Sequence, residues 1–205
     1  MKKPIRILVT LAAVAVGFAF TLPFKAHKKQ ITIVLDAAHG GRDYGSAHGT
    51  FYEKQIAAAV SDRIQELSED VEVVFYETRP DDTFVSLEDR VKVINDVKPD
   101  LVLSLHTNYE RNGEKSGMDF YISDKSSTYD KSKEYADRLS AAFASKEYAT
   151  EVKTAPFWVL KKSEAPTVMI EMGYLSNKAD RNYLTTPAGQ DAIATTVATF
   201  IKTLK

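Results

Sequence analysis

Residues 31–41 read "ITIVLDAAHGG", and this stretch decides the architecture. The apolar, β-branched run at its start reads as a buried strand. It stops at a histidine, His39, wedged between two alanines and two glycines. Gly40 and Gly41 let the chain turn sharply just behind the imidazole. A strand that is buried needs helices around it, so the neighbouring sequence should supply them.

It does. Residues 52–67, "YEKQIAAAVSDRIQEL", place Ile56, Val60, Ile64 and Leu67 on one helical stripe. "VEVVFYET" is a strand. Ser86 opens a second helix with Asp89 as its capping partner, and Leu87, Val91 and Ile94 form the stripe. "DLVLSLH" and "GMDFYIS" are strands, and a polar helix runs from about Lys131 to Phe143. "FWVLK" and "TVMIEM" read as short strands. Thr186-Pro187 starts a last helix that ends near Leu204. Strand–helix alternation with short connections predicts one α/β domain, with a mostly parallel sheet flanked by helices on both faces.

The chain has 205 residues, 44% hydrophobic and 27% charged, which suits one globular core. It has no cysteine, so disulfides, thiolate nucleophiles and cysteine metal sites are excluded. The N-terminus carries Lys2, Lys3 and Arg6 ahead of an apolar run from Ile7 to Phe24, the pattern of an export signal. Its length lies between a signal-peptide core and a membrane span. Residues 1–29 are therefore expected to be a leader cut after Ala19, or an anchor holding the protein at the inner membrane. They hold six of the 27 basic residues and none of the 28 acidic ones, which leaves the remainder at net −7. An acidic exported domain lacks the clustered lysines and arginines that nucleic acid requires.

In an open α/β sheet, ligands bind beyond the carboxyl ends of the strands. Three strands end there in residues foreign to a core: His39, His106 and Glu171. Glu53 opens the first helix at the same edge. Two histidines and a glutamate can hold Zn²⁺ with one position left open, and a second glutamate can serve as general base. Each residue alone has a plainer explanation, such as a hydrogen-bonded histidine or a helix-start carboxylate. Glu171 is the hardest to explain that way, because a carboxylate after "TVMI" needs a partner or a metal. His27 and His48 lie in polar stretches and read as solvated.

The ordered motifs "LDAAHGGRDYG", "EKQIA", "TRPDDTFVSLEDR", "SLHTN", "SGMDFYIS" and "FWVLKKSEAPTVMIEMGYLSN", followed by a closing helix, resemble the amidase-3 type of zinc-dependent N-acetylmuramoyl-L-alanine amidases, which are bacterial cell-wall hydrolases. The likeness runs from about Ile31 to Leu204. It implies a mixed sheet flanked by helices and one Zn²⁺ per chain, with His39, Glu53 and His106 as ligands and Glu171 as the catalytic residue. The implied substrate is peptidoglycan, cut between N-acetylmuramic acid and L-alanine. Ala37 and Ala38 stand where the family usually has proline and glycine. Arg79, Arg90, Asn108 and Asn177 match family positions too. Arg90 and Asn177 read as structural, and Asn108 as a residue that positions a ligand or the substrate. The short segment from Ser123 to Pro156 leaves room for one helix and no long regulatory insertion.

Further expectations are a monomer, located in the periplasm or cell envelope and subject to a regulatory activator protein. The other readings are a zinc peptidase cutting another wall bond, a non-catalytic wall-binding protein, and an α/β domain whose polar strand ends are structural.

Overall fold

The structure, a computed structural model, describes residues 30–69, 72–146 and 148–204. The expected leader and His27 lie outside them. Eight strands and six helices follow in the order β1 (Ile31–Ala37), β2 (Ala47–His48), β3 (Phe51–Tyr52), α1 (Glu53–Glu66), β4 (Val73–Glu77), α2 (Leu87–Val97), β5 (Leu101–Asn108), β6 (Met118–Ile122), α3 (Tyr129–Ala144), β7 (Thr150–Thr154), α4 (Trp158–Lys162), β8 (Thr167–Tyr174), α5 (Lys178–Leu184) and α6 (Pro187–Lys202). The six-stranded sheet has the order β4-β1-β5-β8-β6-β7. All its pairings are parallel except that of β6 with β8. This is the α/β fold expected from the sequence, with helices on both faces.

Alternation along the strands sorts the two faces. Ile33, Leu35, Leu103, Leu105, Ile170 and Phe120 are fully buried on one face, in a core with Ile64 of α1, Leu139 and Phe143 of α3, and Val197 and Ile201 of α6. On the opposite face, Val34 and Val102 pack with Ile94 of α2 and Val159 of α4. Toward the carboxyl ends that second face turns polar, through Asp36, Ser104, His106 and Glu171. The sheet register aligns Asp36 with Ser104 and His106 with Glu171.

The capping signals act as read. The Asp89 amide donates to Ser86 Oγ at 3.1 Å, and the Gly189 amide to Thr186 Oγ1 at 3.3 Å. Asn177 accepts from the amides of Ala179 and Asp180 and so starts α5, which the sequence reading missed. Leu67 lies past the end of α1 and is exposed, so that stripe ends one turn early.

"FWVLK" is a helix, α4, and not a strand. Both sides of β6 are already taken, by β8 and by β7, whose polar sequence "TEVKT" also escaped the reading. The segment therefore cannot pair with β6. It buries Val159 and Leu160 through one short helical turn instead. Between Ser123 and Pro156, α3 packs into the main core, on the face opposite His106 and Glu171. No helix among the described residues is long and apolar enough to cross a membrane.

Candidate active site

The carboxyl ends of β1 and β5 and the first residue of α1 bring His39, Glu53 and His106 together, with one ligand atom from each within 4.8 Å of the others. His39 Nε2 lies 3.2 Å from Glu53 Oε2, and His106 Nδ1 lies 2.9 Å from Glu53 Oε1. The imidazoles meet edge to face, with centroids 5.5 Å apart.

Each group is held by its own neighbours. The Ser46 amide donates to Glu53 Oε2 at 2.7 Å and the Thr107 amide to Oε1 at 3.1 Å. The start of α1 adds its dipole. Although burial opposes ionisation of Glu53, the two histidines and these amides hold its carboxyl far below the usual carboxylate range. His39 Nδ1 pairs with Asp43 Oδ2 at 2.8 Å. That contact leaves Nε2 turned toward Glu53, the arrangement a carboxylate gives to a metal-binding histidine. Burial disfavours charge on His39, but Glu53 and Asp43 outweigh it and raise its pKa to about 9. The same opposition, with Glu53 and Glu171 as the carboxylates, raises His106.

The loop behind His39 is fixed by two arginines. Arg79 Nε donates to the Ala37 carbonyl at 2.9 Å, and its Nη2 donates to the Ala38 carbonyl at 3.1 Å. Arg90 donates to the carbonyls of Ala37 and His39, and to Asp36 Oδ1 at 2.8 Å. This buried network holds His39 at φ 59, a left-handed conformation that non-glycine residues rarely adopt. Gly45, at φ +68, packs directly under the cluster. A Cβ there would lie 2.4 Å from His39 Cδ2 and 2.6 Å from Glu53 Oε2.

Glu171 stands beside the cluster, with His106 as its strand neighbour on one side and Asp119 on the other. Its Oε2 is buried with no hydrogen-bond partner. Burial, partly offset by His106, pushes its carboxyl up to about 7. Asn108 lines the same cleft. Its Oδ1 accepts from the Tyr109 amide at 2.8 Å, and its Nδ2 reaches toward Asp119 Oδ2 at 3.4 Å. Asp119 is otherwise bound by Lys153 and the Tyr174 hydroxyl. His48 is exposed on β2 and does not line the cleft.

The sequence reading missed Asp43 and Gly45. Asp43 had one sequence signal, its place four residues after His39. Gly45 had none, because its role depends on what lies above it in space.

His39, Asp43, Glu53, His106, Asn108 and Glu171 line a cleft of about 560 Å³. Comparison with known proteins adds the family. The family described as N-acetylmuramoyl-L-alanine amidase, amidase-3, matches residues 33–203. The chain belongs to the amidase-3 family. Among curated relatives, the probable cell wall amidase LytH of Staphylococcus aureus is 32% identical over 158 residues, covering 75% of this chain and 51% of LytH. The chain thus spans about half the length of the curated relatives it matches. Among solved structures, the N-acetylmuramoyl-L-alanine amidase from Clostridium difficile 630 superposes with a TM-score of 0.79 at 27% identity, over 86% of this chain and 97% of that one. The CwlD amidase from Clostridioides difficile, solved in complex with the GerS lipoprotein, gives 0.72 at 26% identity, over 84% and 97%.

Proposed function

We propose that this amidase-3 chain hydrolyses the amide between the lactyl group of N-acetylmuramic acid and L-alanine in peptidoglycan, with residues 30–205 as the catalytic domain. The observation that carries the reading is the pairing of two unlike parts in one cleft. His39, Glu53 and His106 form a converged donor set, and beside them stands a buried carboxyl with an unpartnered oxygen.

The donor set fits a divalent ion. His39 presents Nε2, its other nitrogen being engaged by Asp43, and a tetrahedral ion takes two imidazoles and a carboxylate with one position open. When bound, Zn²⁺ would supply Lewis acidity to the attacking water and to the amide carbonyl. Glu171 takes the proton of that water as it attacks the carbonyl carbon, and then delivers the proton to the leaving alanine nitrogen. A carboxyl raised to about 7 by its surroundings is matched to both halves of that task near neutral pH. Asn108, on the cleft wall, positions the substrate.

The basic start and apolar run of the first 24 residues support export to the periplasm or cell envelope, with the leader cut or kept as an inner-membrane anchor. The similar CwlD amidase was solved with a lipoprotein, which supports a regulatory protein that adjusts activity, not one that the cleft requires.

Mass spectrometry of muropeptides after digestion tests the reaction. Release of intact stem peptides from the glycan is expected. Cleavage within the stem peptide would establish the peptidase reading instead, and binding without any cleavage the wall-binding one.

A further inference from the structure

Nine large hydrophobic side chains are exposed among the described residues, and five of them line the cleft just described: Phe84, Leu87, Tyr109, Phe157 and Trp158. Random scatter would not gather them at one concave site, and exposed apolar surface so concentrated marks a binding surface. They come from three places, the entry to α2, the end of β5 and the entry to α4. Leu87 carries the point clearly. It belongs to the helical stripe of α2 in sequence, yet it is 51% exposed and turns to the cleft rather than the core.

Two of the rings are held from one side by cations. The Arg42 guanidinium lies 4.5 Å from the Phe84 centroid, and Lys162 Nζ lies 5.2 Å from the Trp158 ring. Phe157 packs edge-on against Tyr121 with centroids 5.3 Å apart. The rings are therefore oriented before any ligand arrives. Arg90 is the one lysine or arginine lining the cleft, and it is bound to Asp36. Asp43 is spent on His39. The two cations at the rim, Arg42 and Lys162, lie against ring faces, so the walls offer mainly flat apolar surface.

The proposed substrate has two unlike arms. The stem peptide carries carboxylates, whereas the glycan is uncharged along its pyranose rings and presents C–H faces. We infer that the aromatic rim is a glycan platform, on which the sugar rings flanking the scissile amide stack, with Trp158 and Phe84 as its main contacts. This inference rests on the amidase reading above.

Trp158 is the only tryptophan in the chain, so its emission reports on this rim alone. The metal-loaded full chain is titrated with the peptide-free tetramer of N-acetylglucosamine and, separately, with free stem peptide. A saturable change in emission with the sugar and none with the peptide is expected. By calorimetry, Trp158→Ala and Phe84→Ala should each weaken sugar binding roughly 3- to 10-fold with metal content unchanged, while Trp158→Phe keeps most of it. A response to the peptide, alone or alongside the sugar, overturns the inference, as does a response to neither. Sugar binding with no stem-peptide release in the muropeptide assay counts against the reaction and leaves the platform standing.

Discussion

Glu171 and His106 are neighbours across one ladder rung, yet their substitutions should read out differently. His106→Ala removes a donor and should abolish both metal content and activity. Glu171→Gln keeps the shape, cannot accept a proton, and should retain close to one zinc per chain. Its turnover should fall about 10²- to 10⁴-fold, the usual contribution of a general base. Elemental analysis beside muropeptide release separates the two. Loss of zinc from the glutamine variant would make Glu171 a ligand.

The same residues set how the metal-stripped protein responds to pH. Glu171 titrates at about 7 in the fold against about 4.5 in an unfolded chain, and His39 at about 9 against about 6.5. Both folded values are raised, so both groups favour the folded state most below their unfolded pKa values. The contribution of Glu171 is lost as pH rises from about 4.5 to 7, and that of His39 from about 6.5 to 9. The melting temperature of chelator-treated protein should therefore fall steadily from pH 5 to pH 9. Metal binding competes with the proton on His39, so the stabilisation gained on adding Zn²⁺ should grow over the same range. Thermal melts with and without metal would show the gap widening; a gap that narrows with pH contradicts the assignment.

Among the elements, the loop between β1 and α1 offers a controlled comparison. Gly45 and Gly49 both have φ near +60, so alanine at either should cost roughly 1–2 kcal/mol of backbone strain. Gly49 has nothing within 4 Å of a new Cβ, whereas Gly45 would drive one into His39 and Glu53. Gly45→Ala should therefore weaken metal binding about 10- to 100-fold, as loss of an orienting contact does, and Gly49→Ala should leave it unchanged. Chelator competition measures both; equal losses would mean that strain alone, and not the clash, governs the site.

Periodicity exposed the elements that face the core. The α1 and α2 stripes, the buried strands and the Ser86 and Thr186 caps were all legible because each is a local pattern with a physical cause. α4 was not, because a short run such as "FWVLK", with four apolar or aromatic residues, fits a strand or a helix turn equally well. β7 was not, because its sequence is polar at an exposed edge. At the site, strand ends pointed to His39, His106 and Glu171. Asp43, four residues past His39, left a faint local signal, whereas Gly45 and the Arg79–Arg90 pair on three successive carbonyls act through contacts that no short sequence window contains.

For the molecule as a whole, the placement of α3 bears on regulation. The segment from Ser123 to Pro156 sends its helix to the face away from the cleft, and none of its described residues lines the cleft. Purified residues 30–205 should then digest peptidoglycan without an added partner. A fragment that binds zinc but stays inactive until an activator is supplied would show that the cleft needs outside help to reach its working form.

The β5–β8 pairing has a kinetic consequence. It joins residues 65 positions apart, as Val102 with Thr167, and it is the rung that sets His106 against Glu171. Contacts that close such long loops form late and slowly. The β1–β5 pairing, which brings His39 and His106 to one edge, is as long in range, joining Ile33 to Leu101 across 68 positions. The candidate ligands and the Glu171 carboxyl thus meet only when both of these long-range pairings have closed at the centre of the sheet.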